Sequence, residues 1–255
     1  MRKIMELVVF ALPVLILAIV VYILVNGKGI TVSPQKPNGL TVSSQKIKPN
    51  NNDFEYFFRV FDDLSKLRLV DNQKMRSSDE VLKENNCVAA INGGFYDKNN
   101  EPLSLLISDG EIIAEDNETN LTNGYIWLSE LGGFGVSDEL PDSKFIFALG
   151  TGPLLYLNGE KMDLEIANDK MARRSVFGTL SDNSIFFLSI FDNNSVYLGP
   201  KLQNLPKMLD EISLKENWQI IDAINLDGGT ASLYKDQENS LSEFKSVRSI
   251  FCLTK

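Results

Sequence analysis

The 255-residue sequence contains no histidine. This absence excludes the mechanisms that need an imidazole, namely serine–histidine and cysteine–histidine catalysis, and it excludes zinc sites with histidine ligands. The two cysteines, Cys87 and Cys252, are too few to hold zinc by thiolates alone. Acid–base chemistry must therefore fall to carboxylates, tyrosine or lysine.

Basic residues are fewer than acidic residues in this sequence. It has 34 aspartate and glutamate residues against 25 lysine and arginine residues, which gives a formal net charge of −9. A field of this sign repels phosphate-rich polymers, so we expect no nucleic acid partner. Any phosphate group that the protein binds must therefore meet a basic residue at the binding site itself.

Charged residues are absent from one long apolar stretch, residues 7–25, which follows the basic residues Arg2 and Lys3. A run of about 19 apolar residues is long enough to cross a bilayer as a helix. The positive N-terminus predicts that this end stays in the cytoplasm and that the rest of the chain is exported. We therefore expect an uncleaved, single-pass signal anchor over residues 1–26, in contact with lipid through residues 7–25. A cleaved signal peptide is the alternative.

The remaining chain divides by composition. Residues 27–52 are rich in proline, glycine, serine, asparagine and lysine, which predicts a flexible tether before a domain over residues 53–255. Strand patterns dominate that domain, so we expect an α+β fold with few helices, a single domain built on a large mixed β-sheet. The expected strands are residues 54–60, 66–70, 87–92, 220–226 and 249–253, with hairpins over 103–113 and 176–190, and helices over 79–84, capped by Ser78, and around 205–212.

Export would place Cys87 and Cys252 in an oxidising compartment, where a disulfide can form. Both cysteines lie in apolar, strand-like stretches, and two unpaired buried thiols are equally common in such a setting. The sequence leaves both alternatives open.

Two matched motifs lie far apart in the chain. Residues 90–97 read Ala-Ile-Asn-Gly-Gly-Phe-Tyr-Asp, and residues 225–232 read Asn-Leu-Asp-Gly-Gly-Thr-Ala-Ser. Each is a short apolar run, typical of a buried strand, that ends in a polar side chain and two glycines. Paired glycines let the backbone turn sharply or approach a ligand closely, although they also occur in ordinary turns. The repetition favours a functional site at two strand ends.

These motifs resemble those of the phosphodiester glycosidase family, whose members include N-acetylglucosamine-1-phosphodiester α-N-acetylglucosaminidases and bacterial relatives associated with exopolysaccharide. Two further blocks, GTGPLLYLNG at residues 150–159 and RSVFGT at residues 174–179, complete the resemblance in the family's order. It extends from about residue 54 to the C-terminus. The resemblance implies a hydrolase that cleaves the glycosidic bond of sugar-1-phosphodiesters. Together with the predicted signal anchor, it predicts a membrane-anchored, exported enzyme that acts on cell-envelope or exopolysaccharide glycans.

The candidate site residues follow from the motifs. Asp227 is the first choice for a catalytic carboxylate, because a buried strand fixes its backbone and two glycines open space beside it. Asp97 is the second carboxylate, and Arg174 can grip a phosphate through two parallel hydrogen bonds. Its neighbour Arg173 is expected to be exposed to solvent. Sugar contacts are assigned to the polar and glycine residues of the motifs, which are Asn92, Gly93, Gly94, Asn225, Gly228, Gly229 and Thr230.

No cofactor and no metal site are predicted. A divalent cation held by aspartate and backbone oxygens could assist, but no calcium-binding loop pattern is present. Two other functions stay open at this point. One is a noncatalytic module of the cell envelope that binds glycans, and the other is a phosphodiesterase that cuts the P–O bond instead of the glycosidic C–O bond.

Overall fold

The computed structural model describes residues 41–47, of which it gives the backbone only, and residues 54–117, 119 and 121–255. The predicted signal anchor lies outside these residues. Among the residues described, no helix is both long and apolar enough to span a membrane.

The described chain contains seventeen strands and two α-helices. In chain order they are β1 (Thr41–Ile47), β2 (Phe54–Phe61), β3 (Leu67–Asp71), α1 (Ser78–Glu84), β4 (Cys87–Asn92), β5 (Leu106–Ser108), β6 (Glu111–Ala114), β7 (Gly124–Ser129), β8 (Phe134–Ser137), β9 (Phe145–Thr151), β10 (Leu154–Leu157), β11 (Glu160–Lys161), β12 (Arg174–Leu180), β13 (Ile185–Asp192), α2 (Leu205–Glu216), β14 (Ile220–Asn225), β15 (Tyr234–Lys235), β16 (Ser240–Leu241) and β17 (Ser249–Thr254).

The strands form three sheets. A seven-stranded sheet has the order β1-β2-β13-β12-β14-β10-β11, and two five-stranded sheets have the orders β16-β15-β4-β17-β3 and β6-β5-β9-β7-β8. Every strand pairing recorded in the described chain is antiparallel. The α+β class with few helices is confirmed. The single large mixed sheet is not found, because the strands pair antiparallel and divide among three sheets.

One phenylalanine cluster joins the sheets. The ring centroid of Phe177 on β12 lies 5.6 Å from that of Phe187 on β13 and 4.8 Å from that of Phe251 on β17. Phe147 on β9 packs against Phe251 at 5.9 Å between ring centroids. Because these four buried rings come from all three sheets, their burial fixes the sheets against one another.

Helix α2 covers the other face of the seven-stranded sheet. Its buried residues Leu205, Met208, Leu209 and Ile212 recur at helical spacing and pack with the apolar residues of that face. Pro206 lies in the first turn, where its missing N–H would have no helical partner. The helix predicted around residues 205–212 is confirmed.

Two local features differ from expectation. Strand β1 lies within the predicted flexible tether, yet its backbone pairs with β2 along all seven of its residues. The cap of α1 is Ser77 rather than Ser78. The Ser78 hydroxyl instead donates to Glu243 Oε2 at 2.5 Å, because this distant carboxylate reaches the start of the helix.

Cys87 and Cys252 form a disulfide between β4 and β17. Both alternatives had stayed open in the sequence, and the pairing of the two strands decides between them. Antiparallel pairing of β4 with β17 brings the two cysteine Cα atoms to 5.4 Å, within the usual range for a disulfide.

Candidate active site

The two glycine motifs meet in space. Strand β4 ends at Asn92 and strand β14 ends at Asn225, in two different sheets. The Asp227 N–H donates to the Gly93 carbonyl oxygen at 3.1 Å, and Asn92 Nδ2 donates to the Asp227 carbonyl oxygen at 2.9 Å. The sequence motifs, 135 residues apart at this contact, therefore build one site.

The Asn92 side chain is fully buried and uses its whole hydrogen-bonding capacity within the protein. Its Nδ2 donates to the carbonyl oxygens of Asp227 and Gly93, while its Oδ1 accepts from the Ser175 hydroxyl at 2.7 Å and from the Leu233 N–H at 3.1 Å. An amide side chain offers two donors and one oxygen with two lone pairs, and all are occupied here. Asn92 therefore holds the backbone of Asp227 in place, and this role differs from the sugar contact that the sequence suggested.

The glycines of the motifs are required by neighbouring parts of the protein. A Cβ atom added to Gly93 would lie 2.1 Å from the Ser249 hydroxyl oxygen, and one added to Gly228 would lie 2.6 Å from the Arg173 carbonyl oxygen. Both distances are far below van der Waals contact, so a larger residue would displace the Ser249 side chain at Gly93 and the Arg173 backbone at Gly228. Contacts within the protein thus restrict these two positions, which the sequence assigned to substrate binding. The remaining two are Gly94, buried against Gly150, and Gly229, whose N–H donates to the Arg173 carbonyl oxygen.

Asp227 is the most strongly perturbed carboxyl of the site. Burial raises its pKa from about 3.8 to about 7. The Gly228 N–H, which donates to Asp227 Oδ1 at 2.7 Å, and the cations Lys245 and Arg174 lower this pKa only in part. A carboxyl with a pKa near neutrality changes its protonation easily at physiological pH, as acid–base or nucleophilic catalysis requires.

Tyr96 lies beside this carboxyl. Its hydroxyl donates to the Ser246 carbonyl oxygen at 2.6 Å. Burial, followed by the negative charges of Asp227 and Glu243, raises the pKa of Tyr96 to about 12. The phenol therefore stays protonated at neutral pH, and the Ser246 carbonyl oxygen takes its single O–H.

Arg174 makes several hydrogen bonds within the protein that the sequence did not suggest. Its Nε donates to the Pro200 carbonyl oxygen at 2.9 Å, and its Nη2 donates to the Lys170 carbonyl oxygen at 2.5 Å and to Asp169 at 3.3 Å. Asp169 in turn accepts from the N–H groups of Leu202 and Gln203, just before α2. The Arg174 charge still lowers the pKa of Asp227, so it lies close enough to act on an anion there.

The interpretation of Arg173 as solvent-exposed is wrong, since this side chain is fully buried. Its guanidinium donates to the Ser232 hydroxyl at 2.7 Å, to the Ser232 carbonyl oxygen and to the Ser242 carbonyl oxygen at 2.9 Å. It also lies over the Tyr197 ring, 5.2 Å from the ring centroid. Arg173 Nη1 is buried without a hydrogen-bond partner among the described residues. Its burial lowers the pKa of Arg173 to about 10.

The other predicted site residues have different surroundings. Both carboxylate oxygens of Asp97 accept hydrogen bonds within residues 97–101, so Asp97 closes its own turn, and its assignment as a second catalytic carboxylate gains no support. Asn225 is buried, donates to the Gly152 carbonyl oxygen at 2.8 Å, and leaves its Oδ1 without a partner in the described part of the chain. Thr230 is exposed on the loop that follows Asp227.

Residues 242–246 complete the site, and the sequence analysis missed them. The Phe244 and Lys245 N–H groups both donate to the Thr230 carbonyl oxygen, at 2.8 and 2.9 Å, and Lys245 acts electrostatically on Asp227. No strand pattern or glycine motif marks this segment, so only its mixed charged and aromatic composition could have drawn attention to it. Within the described residues, no group of three or more acidic or cysteine residues is arranged to hold a metal ion.

Similarity to known proteins agrees with this geometry. A chain with the same fold is the catalytic domain of zebrafish N-acetylglucosamine-1-phosphodiester α-N-acetylglucosaminidase, auto-inhibited by its pro-peptide, with a TM-score of 0.65, 16% identity, and coverage of 87% of this chain and 85% of that one. A hypothetical protein from Synechocystis matches with a TM-score of 0.56, 13% identity, and coverage of 84% and 62%. A protein from Burkholderia pseudomallei matches with a TM-score of 0.53, 11% identity, and coverage of 81% and 75%.

At the level of sequence, no curated protein matches this chain. The profile of the phosphodiester glycosidase family, however, matches residues 85–253, which is well over half of the chain and includes both glycine motifs. Its members are hydrolases, and the site described above supplies a carboxyl suited to that chemistry. The chain belongs to the phosphodiester glycosidase family.

Proposed function

We propose that this protein hydrolyses the glycosidic C–O bond of sugar-1-phosphodiesters and that Asp227 is its catalytic carboxylate. The observation that carries the proposal is the environment of Asp227. Its carboxyl lies where the ends of two strands from different sheets meet, its pKa is about 7, and the charges of Lys245 and Arg174 act on it. This combination suits an anionic substrate that needs a carboxylate next to positive charge.

The reaction requires little more than one carboxylate and nearby positive charge. A bond forms between the anomeric carbon and either Asp227 or a water molecule that Asp227 deprotonates, while the bond from the anomeric carbon to the phosphate oxygen breaks and its electron pair leaves with the phosphate. Where Asp227 is the nucleophile, water then cleaves the glycosyl–Asp227 ester, which releases the sugar and regenerates the carboxyl group. The second pKa of a phosphate monoester is about 6, so the leaving group needs hardly any protonation near neutral pH. It needs positive charge, and Lys245 and Arg174 are the cations beside Asp227.

The leaving phosphate is the group for which we propose a contact with Arg174. Asp169 neutralises part of this guanidinium and two carbonyl oxygens take further hydrogen bonds, so its position is fixed before any substrate binds. A preorganised cation costs little to align when charge develops on the leaving group. Asn225, at the end of β14, and Thr230, on the loop that follows, remain the proposed sugar contacts.

We also propose that the enzyme acts outside the cytoplasm on cell-envelope or exopolysaccharide glycans, anchored by residues 1–26. The charge-free run over residues 7–25 and the preceding basic residues support this location. The disulfide between Cys87 and Cys252 agrees with an oxidising compartment. The zebrafish protein acts on an N-acetylglucosamine-1-phosphodiester, as its name states, and we propose a related α-linked substrate for this chain.

Hydrolysis of UDP-N-acetylglucosamine, together with a panel of simpler sugar-1-phosphodiesters, tests the proposal. The assay uses the full chain in detergent, with Asp227→Asn as the test variant and Asp142→Asn, at an exposed aspartate, as its control. We expect release of free sugar by the parent and by Asp142→Asn, and a loss of at least about 100-fold in Asp227→Asn.

Solvent labelled with ¹⁸O separates the remaining alternatives. Glycosidic cleavage places the label in the sugar, whereas label in the phosphate would show P–O cleavage and overturn the proposal. Saturable binding of the panel without turnover, unchanged in a folded Asp227→Asn protein, would instead establish a noncatalytic module that binds glycans.

A further inference from the structure

An aromatic pair, formed by the exposed Phe244 and the partly buried Tyr197, adjoins the loop that carries Asp227. The ring centroids of Tyr197 and Phe244 lie 6.1 Å apart with an interplanar angle of 72°, an edge-to-face arrangement. Phe244 is 76% exposed to solvent. An aromatic ring in water beside a catalytic loop leaves a large apolar area available to a ligand.

Backbone hydrogen bonds connect the segments that carry the two rings to this loop. The Arg173 N–H donates to the Tyr197 carbonyl oxygen at 2.9 Å, and the Arg173 carbonyl oxygen accepts from Gly229 at 2.8 Å. The Thr230 carbonyl oxygen accepts from Phe244 at 2.8 Å. Gly229 and Thr230, which follow Asp227, are thus linked to both aromatic segments, the first through Arg173 and the second directly.

The Tyr197 ring of this pair packs against a buried side chain. The buried guanidinium of Arg173 lies 5.2 Å from the centroid of the Tyr197 ring and is held by the Ser232 hydroxyl and the Ser242 carbonyl oxygen. A cation beside an aromatic face stabilises that arrangement, and the buried hydrogen bonds prevent the guanidinium from moving away. Binding a ligand against a fixed ring costs less conformational entropy than ordering a mobile one.

Positive charge lies next to the aromatic pair. Lys245 follows Phe244 directly, is exposed, and acts electrostatically on Asp227. The two neighbouring residues, both bonded through their N–H groups to Thr230, therefore offer an exposed apolar ring and an ammonium group close to the Asp227 loop. A pyranose ring joined to a phosphodiester presents the complementary pair of groups, since its C–H face is apolar and its phosphate is anionic.

We propose that Tyr197, Phe244 and Lys245 form a subsite for the leaving-group side of the substrate, in which a pyranose ring attached to the phosphate packs on Phe244 and the phosphate pairs with Lys245. This inference rests on the proposed function. The leaving-group side is assigned because Phe244 is open to solvent, where a glycan that continues beyond the phosphate has room, whereas Asp227, at the reacting carbon, is only partly exposed.

A pair of substrates that differ only beyond the phosphate tests the subsite. Both are N-acetylglucosamine-1-phosphodiesters, one with a methyl group and the other with a glucopyranosyl group on the phosphate. In the full chain, we expect Phe244→Ala to raise KM for the glucopyranosyl ester about 2- to 10-fold more than KM for the methyl ester, the range of an aromatic contact. Phe244→Trp should restore most of the difference.

Two controls accompany this test. Leu131→Ala removes an apolar side chain that is 93% exposed elsewhere, and it should leave the ratio of the two KM values unchanged. Lys245→Gln should raise KM for both esters, and the increase should shrink at high salt because an exposed ion pair is screened. An equal effect of Phe244→Ala on both esters, or no effect, would overturn the assignment to the leaving-group side.

The remaining outcomes are also decisive. If Phe244→Ala weakens binding to anionic lipid vesicles and leaves both KM values unchanged, the aromatic pair is a membrane contact and the subsite is wrong. If the parent chain hydrolyses neither ester, the proposed function fails on its own. Calorimetric binding of the glucopyranosyl ester to the parent and to Phe244→Ala then decides on the subsite, which stands only if the variant binds more weakly.

Discussion

Replacing Asp227 by asparagine should stabilise the protein above neutral pH. The folded state raises the pKa of this carboxyl from about 3.8 to about 7, so the fold disfavours its charged form. The unfolded chain releases the proton near pH 4 and the folded chain only near pH 7, so stability is lost as pH rises between these values. Three pKa units correspond to about 4 kcal/mol, and partial solvent contact reduces this to about 2–4 kcal/mol.

Asparagine removes the ionisation but keeps an Oδ1 that accepts from the Gly228 N–H, as Asp227 does. We therefore expect the melting temperature of Asp227→Asn to exceed that of the parent by about 5–15 °C at pH 8, with a smaller excess at pH 5. Thermal unfolding of the full chain at both pH values measures this. Asp142→Asn, at an exposed aspartate, should change little. An unchanged or lower melting temperature for Asp227→Asn at pH 8 would refute the argument that the fold penalises this charge.

Three further predictions follow from individual contacts. Because Asp227 must be ionised to react, kcat/KM should fall about tenfold per pH unit below about pH 7, and a flat profile from pH 5 to 8 would contradict its role. Asn92→Ala removes the four hydrogen bonds of a buried side chain and should lower the free energy of unfolding by about 3–5 kcal/mol. Ser175→Ala removes one of them and should lower it by about 1 kcal/mol. Chemical denaturation measures both values, and equal effects would contradict the role given to Asn92. The double variant Cys87→Ala/Cys252→Ala loses a link across 165 residues and should be less stable by about 3–5 kcal/mol in the same assay, whereas unchanged stability would disprove the contribution.

Local sequence patterns predicted the strands and helices but not which strands pair with one another. Apolar runs located β4, β14 and β17 to within a residue or two, because the side chains of a strand carry its signal within the segment itself. The division into three antiparallel sheets was not predicted, since pairing depends on residues far apart in the chain. The cysteines show the same limit, because each lay in a recognisable strand and only the pairing of β4 with β17 joined them.

The same limit applies to the candidate site, where the sequence located side chains but not their contacts. Asp97 and Asp227 looked alike in sequence, because each lies beyond the end of an apolar strand pattern and within a motif that contains two glycines. In the structure, Asp97 accepts hydrogen bonds from N–H groups of its own turn, whereas the Asp227 N–H donates to the carbonyl oxygen of Gly93 in the other motif. A short polar side chain can bond to its own turn wherever it occurs, so the sequence alone does not separate the two roles.

By itself, the sequence determined the family, the absence of imidazole chemistry, and the two glycine motifs with Asp227 in the second, because these are properties of residue types and their order. The tertiary structure alone decided the pKa of Asp227, the structural role of Asn92, the burial of Arg173 and the position of Phe244. Each of these depends on desolvation or on hydrogen bonds between segments distant along the chain, and such contacts exist only once the sheets have packed together.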